Sequence, residues 1–160
     1  MMDGKKEKLK KTKYERLYMD IAERISKMSY AKRLQVGCVL VKEDSIISYG
    51  WNGMPAGWDN NCEYEHYSIG NPNDFELKTR PEVLHSEENC LMKLSKTHNS
   101  GKGATLFVTH APCIQCAKLI YGAGIKEVIY KSTYRDTAGL DFLFKCGVSS
   151  TKLGESNESI

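Results

Sequence analysis

Two short segments carry the side chains whose types and spacing could perform chemistry. The first is His85-Ser86-Glu87, and the second is Pro112-Cys113-Ile114-Gln115-Cys116. An imidazole and two thiolates are good zinc ligands, and three protein ligands leave the fourth tetrahedral position open, as in catalytic zinc sites. We therefore predict a catalytic zinc ion held by His85, Cys113 and Cys116, with Glu87 free to transfer protons.

Each segment alone has a simpler interpretation. A Cys-x-x-Cys could be a redox pair or half of a structural zinc ribbon, and Glu87 could be an acid that interacts with a helix dipole. A ribbon needs a second Cys-x-x-Cys, which the other cysteines do not form: Cys38, Cys62, Cys90 and Cys146. A redox pair does not explain the upstream His-x-Glu. The two segments together are therefore far more specific than either one.

The surrounding pattern predicts the elements that position these ligands. Apolar residues after Pro81 recur at helical spacing, so His85 and Glu87 fall in the opening turns of a helix. Residues 104–109 form an apolar run typical of a buried strand, and Pro112 opens a second helix whose first turn contains both cysteines. Unpaired N–H groups and the helix dipole favour thiolates there. We expect the two helix N-termini to converge on one cation.

The rest of the chain alternates between helical and strand patterns. A helical pattern covers residues 14–28, and two strands follow at 36–42 and 46–51. Residues 52–80 are too long for a passive connector, and a strand at 127–131 precedes a helix that contains Leu140 and Leu143. This alternation predicts an α/β fold, a three-layer α/β/α sandwich around a mixed central sheet of roughly five strands.

Composition and charge indicate one domain with polar ends. The chain has 160 residues, 41% of them hydrophobic, and a net charge of +3. Residues 1–13 carry six lysines and two acidic residues, whereas the rest holds 17 basic and 18 acidic residues and is nearly neutral. We predict a disordered lysine-rich tail over residues 1–13, a zinc-dependent catalytic domain over 14–148 and a polar C-terminal tail over 149–160.

The same features argue against several classes of protein. An enzyme that acts on polynucleotides should have a basic body with aromatic stacking groups, so we expect no stable nucleic-acid partner. The sequence has no apolar run long enough to span a membrane and no signal-peptide pattern, so we expect no membrane association. Six cysteines, two of them wanted as thiolates, fit a reducing compartment, and the cytoplasm is the expected location.

The chain resembles the deoxycytidylate (dCMP) deaminases of the cytidine deaminase superfamily. Its His-x-Glu and Pro-Cys-x-x-Cys segments match the signature of zinc-dependent nucleobase deaminases. The resemblance also includes Val36-Gly37, Tyr49-Gly50-Trp51-Asn52-Gly53-Met54-Pro55-Ala56-Gly57, Val108-Thr109-His110-Ala111, Ala123-Gly124-Ile125-Lys126 and Tyr134-Arg135. It covers most of residues 14–148, and Ser86 stands where the family usually has alanine.

The resemblance implies a cytidine deaminase-like fold and a hydrolytic reaction. The expected reaction converts dCMP to dUMP and ammonia, which supplies dUMP for thymidylate synthesis, with Glu87 as both base and acid. The alternative is a deaminase of free cytidine or deoxycytidine, or of a base in nucleic acid. The residues expected to contact substrate are Arg33, Asn52, Ser86, Thr109, His110, Ala111, Tyr134 and Arg135. Among them, Asn52 should contact the sugar, and the arginines should pair with the 5′-phosphate.

The resemblance further implies regulation and assembly. Activation by dCTP and inhibition by dTTP, with Mg²⁺ accompanying the triphosphate, are expected, as is a homo-hexamer. The candidate effector contacts are Gly53, Ala56, Gly57, Trp58 and Asn60, because glycine-rich backbone can cradle phosphates. Cys62 and His66 have a Cys-x3-His spacing that could belong to a second, structural zinc, but further ligands are not obvious and we expect one zinc ion per chain.

Overall fold

The computed structural model describes residues 2–154, without the side chain of Met2. Its helices are α1 (Met2–Ser26), α2 (Ser86–Leu94), α3 (Ile114–Gly122) and α4 (Ala138–Lys145). Its strands are β1 (Gly37–Lys42), β2 (Ser45–Trp51), β3 (Glu63–Tyr67), β4 (Phe75–Thr79), β5 (Thr105–His110), β6 (Glu127–Ser132) and β7 (Ser149–Lys152). None of the described helices combines the length and the apolar character needed to cross a membrane.

Five strands form one mixed sheet in the order β2-β1-β5-β6-β7. The strand β1 pairs antiparallel with β2 and β5, whereas β5, β6 and β7 run parallel. The alternation of side chains along each strand divides the core into two layers. On one face α1 packs against Val39, Val41 and Phe107, and on the other α2, α3 and α4 pack against Cys38 and Leu40. The predicted three-layer sandwich with a five-stranded mixed sheet is confirmed.

Two close approaches between backbones explain why glycine occupies Gly37 and Gly50. A Cβ atom at Gly37 would lie 2.3 Å from the carbonyl oxygen of Ala22 in α1. At Gly50 it would lie 2.2 Å from the carbonyl oxygen of Ser86, at the first position of α2. Both distances are far below van der Waals contact, so only glycine lets these helices pack this closely on the sheet. The second contact fixes α2 relative to β2.

The prediction of a disordered N-terminal tail is wrong for residues 2–13, which form the first half of α1. Residues 2–26 contain no proline, and their six lysines and three glutamates favour helix. Local pairs add to this, because Lys11 Nζ lies 3.7 Å from Glu15 Oε1 and Lys10 stands over the Tyr14 ring. The lysine-rich composition predicts a solvent-exposed segment, and most of these residues are exposed. They are nevertheless helical.

The prediction of a polar C-terminal tail from 149 onward also needs correction. Residues 149–152 form the edge strand β7, paired in parallel with β6. The backbone N–H of Leu153 donates to the carbonyl of Tyr130 at 2.7 Å, which extends the pairing. The strand pairs through backbone hydrogen bonds, and its Ser-Ser-Thr-Lys sequence has no apolar alternation that would predict a strand. Residues 155–160 lie outside the described part of the chain.

The predicted long loop between β2 and α2 contains an unpredicted hairpin. The strands β3 and β4 pair with each other and form a separate two-stranded sheet. Most side chains of both strands are exposed. The backbone N–H of Arg80 donates to the carbonyl of Cys62 at 2.8 Å, so the hairpin is closed where it leaves the domain. This is the end that faces the candidate site.

Candidate metal centre

Three side chains from two helix starts meet at one point. The Nδ1 atom of His85 lies 3.5 Å from the sulfur of Cys113 and 3.4 Å from the sulfur of Cys116. All three donor atoms lie within 4.8 Å of one another, and among residues 2–154 no other group of three or more potential metal-binding side chains is this compact. Cys116 is buried, Cys113 is half-buried and His85 is exposed, so one side of the cluster remains accessible.

Helix N-termini bring these ligands together. His85 is the N-cap residue of α2, and its backbone N–H donates to Glu88 Oε2 at 2.6 Å, which fixes the start of the helix. Cys113 is the N-cap residue of α3 and its carbonyl accepts the N–H of Ala117 at 2.9 Å. The positive ends of both helix dipoles therefore point toward the two sulfurs, which favours thiolates.

The ionisation of the cluster fits a bound cation. The adjacent Cys116 and His85 lower the pKa of the Cys113 thiol to about 3, so this sulfur is a thiolate. The Cys113 sulfur in turn raises the pKa of His85 to about 9 and raises the pKa of the Cys116 thiol well above its ordinary value. Two adjacent thiolates repel each other, so without a cation the thiols of Cys113 and Cys116 do not readily ionise together. A divalent ion would displace the protons of His85 and Cys116 and remove that repulsion, because thiolates and neutral imidazole are its ligands.

The distances also fit zinc. With Zn–N of about 2.0–2.1 Å and Zn–S of about 2.3 Å, tetrahedral geometry separates neighbouring donor atoms by about 3.5–3.8 Å. The two N···S separations of 3.4 Å and 3.5 Å are close to this range. The three residues predicted from the sequence are therefore arranged as a zinc site with one open position.

Glu87 is buried beside this cluster. Its side chain is 4% exposed, and the Ser86 hydroxyl donates to its Oε2 atom at 2.8 Å. Burial raises the pKa of the Glu87 carboxyl above its ordinary value, and the bond from Ser86 opposes this rise. A carboxyl group with a raised pKa is suited to accept and return a proton near neutral pH. The expected pairing of three ligands with one separate carboxyl group is thus present in space.

A cavity of about 360 Å³ opens over the cluster, a size typical of small-molecule sites. It is lined by Ala31, Arg33, Leu34, Val36, Asn52, Glu63, Thr79, Val83, His85, Ser86, Glu87, His110, Ala111, Cys113 and Tyr134. Six of the eight predicted substrate contacts are in this set, and Thr109 and Arg135 are not. Arg135 is exposed on the segment between β6 and α4, next to Tyr134.

His110 lines the cavity, whereas the neighbouring Thr109 supports it from outside the lining. The Thr109 side chain is buried, its Oγ1 accepts the backbone N–H of Gly37 at 3.2 Å, and the same atom lies 3.2 Å from His110 Nδ1. Burial lowers the pKa of His110, which favours the neutral imidazole. Thr109 therefore orients His110, which itself faces the cavity.

Asn52 lines the cavity but also has a structural role. Its Oδ1 accepts the N–H of Val36 at 2.8 Å, and its Nδ2 donates to the carbonyl of Leu34 at 2.8 Å. These bonds tie the end of β2 to the segment that precedes β1. The amide oxygen can accept a second hydrogen bond and the amide nitrogen can donate a second one, so Asn52 retains hydrogen-bonding capacity for a ligand.

Glu63 and Thr79 are cavity residues that the sequence analysis missed. Glu63 is the first residue of β3 and Thr79 is the last residue of β4, and the two are paired across the hairpin. The Thr79 hydroxyl accepts a hydrogen bond from Arg33 Nη1 at 3.1 Å, and Glu63 Oε1 accepts the backbone N–H of Arg33 at 3.0 Å. No local pattern could have revealed these contacts, because the residues lie 30 and 46 positions from Arg33.

The candidate effector residues lie apart from the cavity lining. Gly53 pairs with Leu84 through two backbone hydrogen bonds of 3.0 Å and 2.9 Å. Ala56, Gly57, Trp58 and Asn60 are exposed, and Gly57 has a φ of +88° that favours glycine. They form a surface turn closed by a hydrogen bond from Trp58 N to the Pro55 carbonyl. Of the possible second metal ligands, Cys62 packs with Ala31 and Val83, while His66 is exposed on β3.

Comparisons with known proteins agree with this geometry. The family model described as the cytidine and deoxycytidylate deaminase zinc-binding region matches residues 12–132. The deoxycytidylate deaminase of Enterobacteria phage T4 is 31% identical over 147 residues, covering 72% of this chain and 76% of its own length. The Homo sapiens deoxycytidylate deaminase is 37% identical over 123 residues, covering 75% of this chain and 66% of its own.

A solved structure extends the likeness to three dimensions. The dCMP deaminase of cyanophage S-TIM5, solved in complex with dCMP and dUMP, has a TM-score of 0.75 and 42% sequence identity. The match covers 86% of this chain and 94% of that protein. Since the family model spans most of the chain and both ligand segments fall inside the matched range, the chain belongs to the cytidine and deoxycytidylate deaminase zinc-binding family.

Proposed function

We propose that the protein catalyses the zinc-dependent hydrolytic deamination of dCMP to dUMP and ammonia. The observation that carries the proposal is a single cavity that joins a His-Cys-Cys zinc site, the buried Glu87 carboxyl group and the Arg33 side chain. The relatives named as deoxycytidylate deaminases support dCMP as the substrate. The dUMP product is a substrate suited to thymidylate synthesis.

Each group of the site has a distinct part in the reaction. His85, Cys113 and Cys116 would hold a zinc ion, which would supply the Lewis acidity that makes water nucleophilic near neutral pH. Glu87 accepts one proton of the attacking water and transfers it to ring nitrogen 3 of cytosine while the water oxygen bonds to carbon 4. It then takes the remaining proton of that oxygen and delivers it to the amino group, so that the bond between carbon 4 and nitrogen breaks and ammonia leaves. Ser86 holds the Glu87 carboxylate in place through the 2.8 Å hydrogen bond. The buried surroundings of Glu87 exclude solvent from these transfers.

The remaining cavity residues would recognise the nucleotide. Asn52 contacts the 3′-hydroxyl of deoxyribose, while Ala111 and His110, supported by Thr109, border the pyrimidine. Arg33 and Tyr134 bind the 5′-phosphate, because a planar guanidinium group pairs well with phosphate oxygens. Arg135 lies outside the cavity lining and would reach the phosphate only from its rim.

The direct test compares three substrates on the zinc-loaded enzyme. The loss of cytosine absorbance is followed with dCMP, deoxycytidine and single-stranded DNA. We expect turnover of dCMP, with much lower kcat/KM for deoxycytidine and none for DNA. Equal efficiency on dCMP and deoxycytidine would favour a nucleoside deaminase, and activity on DNA would favour a polynucleotide deaminase. Either result would refute the proposal.

Regulation is part of the proposal. The turn that contains Ala56, Gly57, Trp58 and Asn60 is exposed, and Gly53, which is paired with Leu84, connects it to the cavity residue Asn52. Backbone N–H groups exposed by glycine can bind phosphate, so dCTP with Mg²⁺ would activate and dTTP would inhibit through this turn. The measurement is a dCMP saturation curve with each triphosphate. Curves that neither nucleotide changes would remove the regulatory proposal and leave the catalytic one intact.

Assembly and location complete the proposal. We propose a homo-hexamer in the cytoplasm. Each chain contributes the catalytic domain over residues 14–148, extended by the first half of α1 and by β7. All six cysteines are free, which agrees with a reducing compartment. Light scattering after gel filtration would give the mass of the assembly. A mass equal to one 18.1 kDa chain at working concentration would contradict the hexamer.

A further inference from the structure

The hairpin β3–β4 presents one pair of residues to the substrate cavity. Glu63 begins β3, Thr79 ends β4, and the two face each other across the hairpin. Both line the cavity together with Arg33. The tip of the hairpin, in contrast, is exposed over residues 68–74. The hairpin therefore meets the site through its closed base.

These two residues hold both the backbone and the side chain of Arg33. Glu63 Oε1 accepts the backbone N–H groups of Lys32 at 2.8 Å and of Arg33 at 3.0 Å. Thr79 Oγ1 accepts a hydrogen bond from the guanidinium Nη1 at 3.1 Å. A free arginine side chain loses considerable rotamer entropy when it binds a ligand, so fixing it beforehand reduces that cost.

We infer that Glu63 and Thr79 are positioning residues that aim Arg33 at the 5′-phosphate, so that the hairpin base determines the preference for nucleotide over nucleoside. This inference rests on the proposed function, in which Arg33 binds the phosphate. The bond to Thr79 uses one N–H of a group that has several, so a bidentate pair with phosphate oxygens is still available. Neither residue contacts the zinc ligands or Glu87 through the hydrogen bonds described.

The Glu63 carboxylate could act in two ways, through its negative charge or as a hydrogen-bond acceptor. A carboxylate that lines the cavity would repel the phosphate if it acted through its charge. As a hydrogen-bond acceptor, it would instead hold the backbone of Arg33 in place. Glu63→Gln separates the two roles, because the amide oxygen keeps the acceptor and the charge is lost. Thr79→Ser separates the hydroxyl from the methyl group in the same way.

The experiment measures kcat and KM for dCMP, and the initial rate on deoxycytidine, with zinc-loaded enzyme. The variants are Arg33→Ala, Glu63→Ala, Glu63→Gln, Thr79→Val and Thr79→Ser. We expect Glu63→Ala and Thr79→Val to raise the KM for dCMP by about tenfold, the effect of one hydrogen bond to a charged group. We expect kcat and the rate on deoxycytidine to stay near the wild-type values. Glu63→Gln and Thr79→Ser should restore most of the affinity.

The outcomes distinguish this inference from the proposed function. If Arg33→Ala loses preference for dCMP while Glu63→Ala and Thr79→Val keep it, the inference is overturned and the proposed function stands. If Arg33→Ala leaves the preference unchanged, the phosphate assignment in the proposed function itself fails. A parallel fall in both substrates' rates together with a lower melting temperature would mean that the hairpin only supports the fold. A lower KM for dCMP in both Glu63 variants would show that charge repulsion, not positioning, is its role.

Discussion

Replacing Glu87 with glutamine separates proton transfer from every other property of the site. The side chain is 4% exposed and accepts a hydrogen bond from Ser86 at 2.8 Å, and the three metal ligands are other residues. An amide has nearly the same shape and can keep the acceptor for Ser86. Glu87→Gln should therefore bind zinc normally and fold normally, but it cannot carry the proton.

The expected loss follows from the number of steps that Glu87 serves. A positioned general acid or base contributes about 10²–10⁴-fold to a rate. Glu87 is proposed to act as base toward water and as acid toward the ring nitrogen and ammonia, so we expect a loss in kcat near the upper limit, about 10⁴-fold. This corresponds to about 5.5 kcal/mol in activation free energy. KM should change little, because the amide still fills the same volume.

Stability provides an independent check on the same variant. Burial raises the folded-state pKa of Glu87 above its ordinary value of 4.5. The unfolded chain therefore loses this proton at lower pH than the folded chain does. Between the two pKa values, stability falls as pH rises, and at higher pH the ionised, buried carboxylate carries the full cost. Glutamine avoids this cost, so the metal-free variant should be at least as stable as the metal-free wild type at neutral pH.

The assay uses the absorbance of cytosine for turnover, mass spectrometry for zinc content and thermal melting for the fold. Glu88→Gln is the matched control, because Glu88 is the next residue and its Oε2 accepts the backbone N–H of His85, a bond that glutamine can keep. The control should stay within a few fold of wild type. Glu87→Gln retaining more than about a tenth of the wild-type rate, with full zinc content, would refute the assignment of proton transfer.

Three further predictions concern the metal, the neighbour of Glu87 and the packing of α2. Dialysis against a chelator should abolish activity and lower the melting temperature, and about one equivalent of Zn²⁺ should restore both, as measured by rate and calorimetry. Ser86→Ala should lower kcat by at most about tenfold, with unchanged zinc content, because it removes one hydrogen bond to Glu87. Gly50→Ala should destabilise the protein by about 2–4 kcal/mol in urea unfolding, since the new Cβ would meet the Ser86 carbonyl at 2.2 Å and the Cys90 nitrogen at 2.6 Å.

The metal centre could be predicted because its information is local. His85 and Glu87 lie two positions apart at the start of one helix, and Cys113 and Cys116 lie three positions apart at the start of another. Within a single turn, spacing decides which side chains share a direction. Three of the four predicted strands of the sheet, β1, β5 and β6, are mostly buried and have strong apolar patterns, as in the completely buried Leu40 and Val108.

The elements that were missed lack such a pattern. The strands β3 and β4 are exposed on most positions, so no alternation of apolar and polar residues distinguishes them from a loop. The strand β7 is a polar edge strand whose backbone pairing with β6 is decided by the tertiary structure. The first half of α1 has no buried face, and lysine-rich composition alone cannot separate an exposed helix from a disordered tail.

The zinc ligands and the hairpin are associated with two separate sheets of the structure. The zinc ligands are fixed by α2 and α3, which pack on the central sheet, and the close contact at Gly50 leaves little freedom for α2. The hairpin forms its own two-stranded sheet and reaches the cavity only through Glu63 and Thr79. Substitutions there can alter the hold on Arg33 without moving His85 or the cysteines. Under the proposed function, recognition of the 5′-phosphate by Arg33 can therefore vary independently of the chemistry, because the hairpin holds Arg33 and the central sheet supports the zinc ligands.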